Sequence, residues 1–434
     1  MLRRFSAGPL RIAMTVDDAR PPMAVIGTRE LAGVFIALGT LLLVQWVLSL
    51  WQLASPVSAV WSAVLWRDLA AFTAINIVTY VMAKTSTERW VLAAFGFSVF
   101  IVAFELHGGD GDLFDRILWS ARWLALFGLC ALAYQAPRPG GIKIFLVAIC
   151  FWLFVPISIA YLDLTYLIRP QTLDWFAYSF DLSLGAGVVP YFFILFHRSY
   201  SVAIIASVAY VSLLGAYEVL FSLQLRFLDR SVVPALRVFL IAAVLGFACY
   251  FIFPVVGPAH FFGDSYPSRL PGFTDFVPAL APAMVTARNG MPSLHFAWAL
   301  LLVVNVPREL RYAKAAFALF CFLTLLATLG LGEHFFADLL AALPFAATVQ
   351  AIGLSLSCGG NPRFSGSALR SGAIFAGFLS LLALSPAWLQ MPAVSWSITA
   401  LLVSHFVLEM RWQRSVWTSA ELRALTPARE RAAQ

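Results

Sequence analysis

The sequence predicts an all-α, polytopic transmembrane helical bundle, and three observations carry that expectation. The 434-residue chain is 61% hydrophobic and only 12% charged, with a mean hydropathy of +0.85, whereas a soluble domain carries about 25% charged residues. Its apolar residues gather into runs of spanning length, and at roughly 20 residues per helix the composition has room for about 13 spans at most. The alternating pattern of barrel strands is missing, which leaves helices as the elements that satisfy their own backbone in lipid. A single-pass receptor, a secreted enzyme and a nucleic-acid-binding protein are excluded.

In order, the runs fall near 31–53, 57–83, 90–106, 117–135, 144–162, 183–197, 201–224, 233–254, 292–306, 315–332, 335–356, 371–390 and 394–410. The first follows a polar, Arg-bearing segment and is long enough to span, so it reads as an uncleaved anchor. The formal charge of +7 sits largely at the ends: Arg3, Arg4, Arg11, Arg20 and Arg29 on one side, Arg411, Arg414, Arg423, Arg429 and Arg431 on the other. These are positive-inside flanks, and the tail 411–434, with Trp412 and Trp417, reads as an amphipathic helix on anionic lipid. Arg226, Arg230 and Arg237, then Arg308, Arg311 and Lys314, then Arg363 and Arg370 mark further cytoplasmic loops. The segments 255–291 and 332–335 therefore face the opposite side. In the first half the count leaves one apolar segment too many, so a piece of 54–66 or 164–182 is interfacial or re-entrant, or the N-terminus lies outside. Lysine supplies only Lys84, Lys143 and Lys314 of the 29 basic residues. This Arg bias with abundant Ala fits a bacterial inner-membrane protein whose site is periplasmic. Cys130, Cys150, Cys249, Cys321 and Cys358 have neither disulfide nor zinc spacing.

The long loop 255–291 is rich in Pro, Gly and aromatics, and long ordered loops are more often functional than accidental. It closes on Gly290-Met291-Pro292-Ser293-Leu294-His295, followed at once by an apolar run. Proline is favoured at the first helical position, so a helix is expected to begin at Pro292, its amides and positive dipole end forming an anion site beside His295. Taken alone, the same residues also describe a capped helix with a satisfied interfacial histidine. Gly332-Glu333-His334-Phe335-Phe336-Ala337-Asp338 opens a second apolar helix on the same side. The four-residue spacing puts His334 and Asp338 on one helical face, where the carboxylate fixes the imidazole tautomer and leaves the other nitrogen free. A carboxylate inside an apolar helix is costly and usually functional. Two histidines and one carboxylate in one leaflet suit displacement at phosphorus, with His334 attacking and His295 protonating the leaving oxygen.

The pair Met-Pro-Ser-Leu-His and His-x-x-x-Asp, about 40 residues apart across one hairpin, resembles the type 2 phosphatidic acid phosphatase superfamily, and within it the inositol phosphorylceramide synthase branch, where Pro-Ser-Leu-His replaces Pro-Ser-Gly-His. The resemblance spans roughly 176–356. It implies a catalytic six-helix core there and says little about the flanks, which the apolar runs and charges read as an N-terminal transmembrane extension over 1–163 and a helical hairpin with a basic cytoplasmic tail over 371–434. It further implies His334 as nucleophile, Asp338 as its orienting partner, His295 as general acid, and metal-free phosphoryl transfer without a cofactor. The phosphatases' first motif carries Lys, six residues, then Arg-Pro; the matching place here is Phe253-Pro254-Val255-Val256-Gly257-Pro258-Ala259-His260, and their Ser-Arg falls on Ala327-Thr328. The synthase-like branch also lacks those basic residues, which shifts the expectation from phosphatase to phosphotransferase. Arg288, Arg269 and His260 are the replacement cations, Arg288 foremost, and Ser293, Gly290 and Pro258 complete the expected substrate-binding set. The expected partners are a lipid phosphate donor and a lipid or alcohol acceptor.

Competing readings remain. A proton-coupled transporter or flippase would use His295, His334 and Asp338 as a relay. A divalent ion would need Glu333, His260 and Asp264 to join them, without any paired-ligand motif. Glu105–Asp112 reads as a polar turn. Asp181 and Glu218 are either buried helix–helix hydrogen-bond partners or headgroup contacts, with the former favoured, and Trp298 reads as packing more than as a lipid path.

Overall fold

The computed structural model describes residues 161–432, apart from 186–187, 228–233, 273, 276, 283–285, 308–309, 359 and 385, together with Ser98, Phe154 and Ser158. Within them the protein is an all-α membrane bundle. The expected spans between 31 and 135, nearly all of the run 144–162, the Glu105–Asp112 turn, Cys130 and Cys150 lie outside the described residues.

A two-residue strand β1 (Gln171–Thr172) leads into α1 (Asp174–Ser183). Helices α2 (Val188–Arg198) and α3 (Tyr200–Val211) meet at a bend of 115° around Ser199. Ser199 causes the restart, since it leaves helical geometry and its hydroxyl accepts from the Val202 amide. The run expected over 201–224 is interrupted at Ser212, after which α4 (Leu213–Phe227) continues. The bonds from the Ser212 amide to the Val208 carbonyl and from the Ala216 amide to the Ser212 carbonyl bridge the join, both 3.0 Å, so it is a distortion more than a break. Helix α5 (Ala235–Ile252) starts behind Pro234. The long loop then carries a short helix α6 (Pro258–Phe262) and a strand β2 (Ala281–Pro282), which pairs antiparallel with β1 and ties the loop to the start of α1.

Helices α7 (Leu294–Val304), α8 (Arg311–Gly330), α9 (Phe336–Ser357), α10 (Pro362–Leu384), the short α11 (Pro386–Leu389) and α12 (Pro392–Ala432) complete the chain. Among the described residues α5, α8, α9, α10 and the Pro392–Trp417 part of α12 are long and apolar enough to cross a membrane, and the bent α2–α3 pair adds a sixth candidate. Helix α9 is the axis of the bundle: 78% of its apolar stretch is buried inside the protein, against 22% for α12. Its buried Ala337, Ala341, Ala342, Ala346, Ala347 and Ala351 let neighbouring backbones approach closely, which is how helices associate where lipid removes the hydrophobic drive between them. Large apolar side chains such as Ile205, Val211, Leu369 and Leu401 point outward, as they do on a lipid-facing surface. Helix α12 continues past residue 411 into the basic tail, and no Gly or Pro occurs between Pro392 and Pro427 to stop it. Polar contacts hold α12 to α10: Arg370 pairs with Glu409 at 3.0 Å, and Gln413 donates to Ser367 at 2.9 Å.

Candidate active site

Three segments meet at one end of α7 and α9: 254–260, 288–295 and 332–338. Backbone hydrogen bonds stitch them pairwise. The Gly290 amide donates to the Val255 carbonyl at 2.8 Å, the Ala259 amide to the Gly332 carbonyl at 2.9 Å, and the Ser293 amide to the Asp338 carbonyl at 3.2 Å. Glycine makes the approach possible at two points. A Cβ on Gly257, whose φ is +92°, would lie 2.0 Å from the Glu333 carbonyl oxygen, and one on Gly290 would lie 2.6–2.9 Å from Val255.

Both helix starts differ from the sequence expectation. Helix α7 begins at Leu294, with Ser293 as its cap; the Ser293 hydroxyl accepts from the Phe296 amide at 3.4 Å, and Pro292 stands just outside. A serine cap satisfies an amide that proline at the first position would leave to solvent. Helix α9 begins at Phe336, so His334 precedes the helix and does not share a helical face with Asp338. Their contact survives through the cap. Asp338 sits in the first turn, where its Oδ2 accepts from the Phe335 amide at 2.9 Å and lies 3.3 Å from His334 Nδ1.

The stronger partner of His334 is the Gly290 carbonyl, 2.8 Å from Nδ1. A carbonyl only accepts, so Nδ1 carries the proton, and the Nε2 lone pair is left for chemistry. His334 and Asp338 are both buried. His295 lies flat against Tyr210, ring centroids 4.0 Å apart at 15°, with the edge of Trp298 at 6.5 Å. Trp298 itself is core: its Nε1 donates to the Phe239 carbonyl at 3.2 Å and its ring stacks on Phe239. Glu333 lies within electrostatic range of both His334 and His295. It also faces His260, with Oε2 3.6 Å from Nε2. The neighbouring Glu333 carboxylate outweighs burial and raises the His260 pKa above its ordinary value. Burial alone would raise the Glu333 pKa, but its pairing with His260 holds it below the usual range.

Three further residues of the expected set lie in the loop 255–291. Arg288 is buried, with Nε donating to the Arg169 carbonyl at 3.0 Å and Nη1 to the Thr286 carbonyl at 2.5 Å, and burial lowers its pKa. Arg269 is exposed on the loop. Pro258 opens α6 and lines a small cleft with Phe335 and Asp181.

Two buried carboxylates of α1 hold this end together. Asp174, which sequence reasoning missed, accepts from the Val256 amide at 3.1 Å and the Gly257 amide at 3.0 Å. Asp181 accepts from the Phe336 amide at 2.6 Å and the Ala337 amide at 2.8 Å, capping α9 from another helix. The helix–helix role favoured for Asp181 is the one the structure gives. The two acids stand seven residues apart and so share a face of α1, a spacing that was the available signal for both. Among the described residues, no group of three or more His, Cys, Asp or Glu is arranged to hold a metal ion.

An all-α membrane bundle with paired histidines and a carboxylate at one helix end is a candidate phosphoryl-transfer protein. Residues 175–352 match the family model of the PAP2 superfamily. That match supports lipid phosphatase or phosphotransferase activity in general. No curated protein and no solved structure matches the chain.

Proposed function

We propose that the protein is a lipid phosphotransferase that moves a phospho-headgroup through a phosphohistidine on His334, in the manner of the inositol phosphorylceramide synthase branch. The observation that carries the reading is the Nδ1 proton of His334 held on the Gly290 carbonyl and Asp338, with Nε2 left as the nucleophile. In the first step Nε2 bonds to phosphorus, the bond from phosphorus to the leaving oxygen breaks, and protonated His295 donates to that oxygen. In the second step the acceptor hydroxyl gives its proton to His295, its oxygen bonds to phosphorus, and the P–N bond breaks. Such chemistry rests on positioning and charge stabilisation more than on new bonds to the protein. The Pro-rich first segment, without Lys or Arg, favours transfer over hydrolysis. His260 and Arg288 are the cations proposed for the phosphate side of the site, and Ser293, Gly290 and Pro258 shape it. We place the site on the periplasmic face of a bacterial inner membrane.

The test uses the purified full-length protein and a lipid labelled at its phosphate. Acid-labile label is expected on the wild type and not on His334→Ala, with turnover of that variant down at least about 1,000-fold. Label on both proteins would refute the nucleophile. Rapid release of free phosphate without any added alcohol would replace the transferase with a hydrolase.

A further inference from the structure

The two histidines of the candidate site are held by different means. Hydrogen bonds fix His334, whose Nδ1 lies 2.8 Å from the Gly290 carbonyl and 3.3 Å from Asp338. Among the described residues no hydrogen bond reaches the His295 ring, and its neighbours are two aromatic rings. Tyr210 lies parallel to it, 4.0 Å away between centroids at 15°, and Trp298 stands edge-on at 6.5 Å and 80°. The torsion that turns an imidazole in its own plane has only broad preferences, so a flat surface on one face decides where the ring nitrogens point. His295 is half-buried, which leaves part of the ring open to an incoming group.

Tyr210 is itself anchored on both sides along the chain. It is the last residue but one of α3, which packs on α8 through small residues: Ala206 and Ala327 are buried in one apolar cluster, with Tyr210 against it. Phe196, near the end of α2, occupies the space over Gly330, where a Cβ would lie 2.4 Å from its ring. Beyond Tyr210, the Tyr217 hydroxyl of α4 donates to the Trp298 carbonyl at 3.1 Å, three residues past His295 on α7. The bent pair α2–α3 and the start of α4 therefore hold one aromatic face against one imidazole.

From this juxtaposition of a histidine without hydrogen bonds and an anchored aromatic ring, we infer that Tyr210 is a positioning residue: it sets the plane of His295 so that a ring nitrogen meets the leaving oxygen. The inference rests on the general-acid role proposed above for His295. The ring face of Tyr210 is what the role requires, and its hydroxyl is not. Misplacing a reacting group by about 1 Å can cost on the order of 100-fold in rate, so a residue that never touches the substrate can still govern proton delivery.

The test follows label onto His334 of the full-length protein from two donors labelled at phosphorus, dioctanoyl-phosphatidic acid and p-nitrophenyl phosphate. Both deliver the same phosphoryl group, but the first expels an alkoxide, which needs a proton, and the second a phenolate, which does not. His295→Ala is expected to slow labelling from the lipid at least about 100-fold and from the aryl ester severalfold at most. Tyr210→Leu is expected to repeat that selectivity, with a loss of about 10–100-fold on the lipid, and Tyr210→Phe, which keeps the ring, to match the wild type on both donors. Tyr210→Met takes the place of Tyr210→Leu if that variant unfolds. Equal losses on the two donors in Tyr210→Leu, beside a selective His295→Ala, would overturn the positioning role and leave the acid in place. A His295→Ala without selectivity would remove the acid, and this inference with it. A second readout needs no turnover: in protein carrying ¹³C-labelled histidine, the His295 ring resonance, assigned by its absence in His295→Ala, is expected upfield under the Tyr210 ring. It should stay there in Tyr210→Phe and move downfield in Tyr210→Leu; a resonance unmoved in Tyr210→Leu would mean that the rings do not stack and would overturn the inference.

Discussion

The two ends of α7 and α9 are built on opposite terms. At the histidine end the buried acids serve backbone amides: Asp174 takes those of Val256 and Gly257, Asp181 those of Phe336 and Ala337, and Asp338 that of Phe335. At the other end, the Trp417 indole N–H and Gln413 Oε1 are buried without a hydrogen-bond partner among the described residues. The first arrangement holds groups still, as positioning chemistry requires. The second leaves two buried polar atoms unanswered. The contrast also explains why the histidine end contains no simple dipole site at α9. The amides that a phosphate would seek there are already answered by Asp181.

Removing Asp181 is the most direct way to break this contrast. Asp181→Ala leaves two amides of α9 without their acceptor inside the protein, and is expected to destabilise the fold by about 2–4 kcal/mol. Asp174→Ala acts in the same way on the first segment. In lipid-free detergent, Trp417→Phe is expected to change stability by less than about 0.5 kcal/mol, because an N–H without a partner contributes no bond to lose. Unfolding followed by circular dichroism gives all three numbers. A loss at Trp417 as large as that at Asp181 would mean the two ends are not different in kind.

Next in size is Asp338→Asn. Where a carboxylate alone sets a histidine's tautomer, its amide replacement lowers turnover about 10⁴-fold. Here the Gly290 carbonyl holds Nδ1 more closely than Asp338 does, so a smaller loss is expected, about 10–100-fold in kcat with little change in KM. A 10⁴-fold loss would assign the tautomer to Asp338 and make the Gly290 contact incidental. Smaller again is Ser293→Ala, which removes the cap of α7 at a cost of about 1 kcal/mol in stability and leaves the amide bond from residue 293 to Asp338 in place.

These predictions rest on features that were unequally visible in the sequence. Composition and run length were enough for the bundle, because lipid restricts the chain to helices. The histidine motifs were legible because their spacing is local. Their helix boundaries were two residues off, since Pro292 and the His334–Asp338 spacing both imitate a helix start that Ser293 and Phe335 in fact provide. The acidic clamps were hardest to see: Asp174 reaches residues 82 and 83 positions away, and Asp181 residues 155 and 156 away. Nothing in a window of one helix reports such a contact, beyond the hint of two acids on one apolar face. Arg288 was half legible: its charge and its place before the motif could be read, while the carbonyls at 169 and 286 to which its guanidinium donates could not.

The smallest expected effect concerns pH and tests whether the histidine end is as closed as its hydrogen bonds make it. His260 is 45% exposed and pairs with Glu333, the residue before His334. The pair raises the His260 pKa, so its contribution is fully present below the ordinary value of 6.5 and is lost as pH rises through the higher, folded value. Glu333 is shifted down, so its contribution is present above the ordinary 4.5 and is lost as pH falls through the lower value. The pair is therefore intact across the mildly acidic to neutral range and opens first on the alkaline side. Because His260 is half in water, screening keeps the effect small. Turnover is expected to decline by severalfold at most above neutrality in the wild type, and that limb should be missing in Glu333→Gln, whose turnover should stay at the lower, unpaired level across the same range. If instead Glu333→Gln abolished turnover at every pH, Glu333 would act directly on the reacting groups, and the closed network would have to include it.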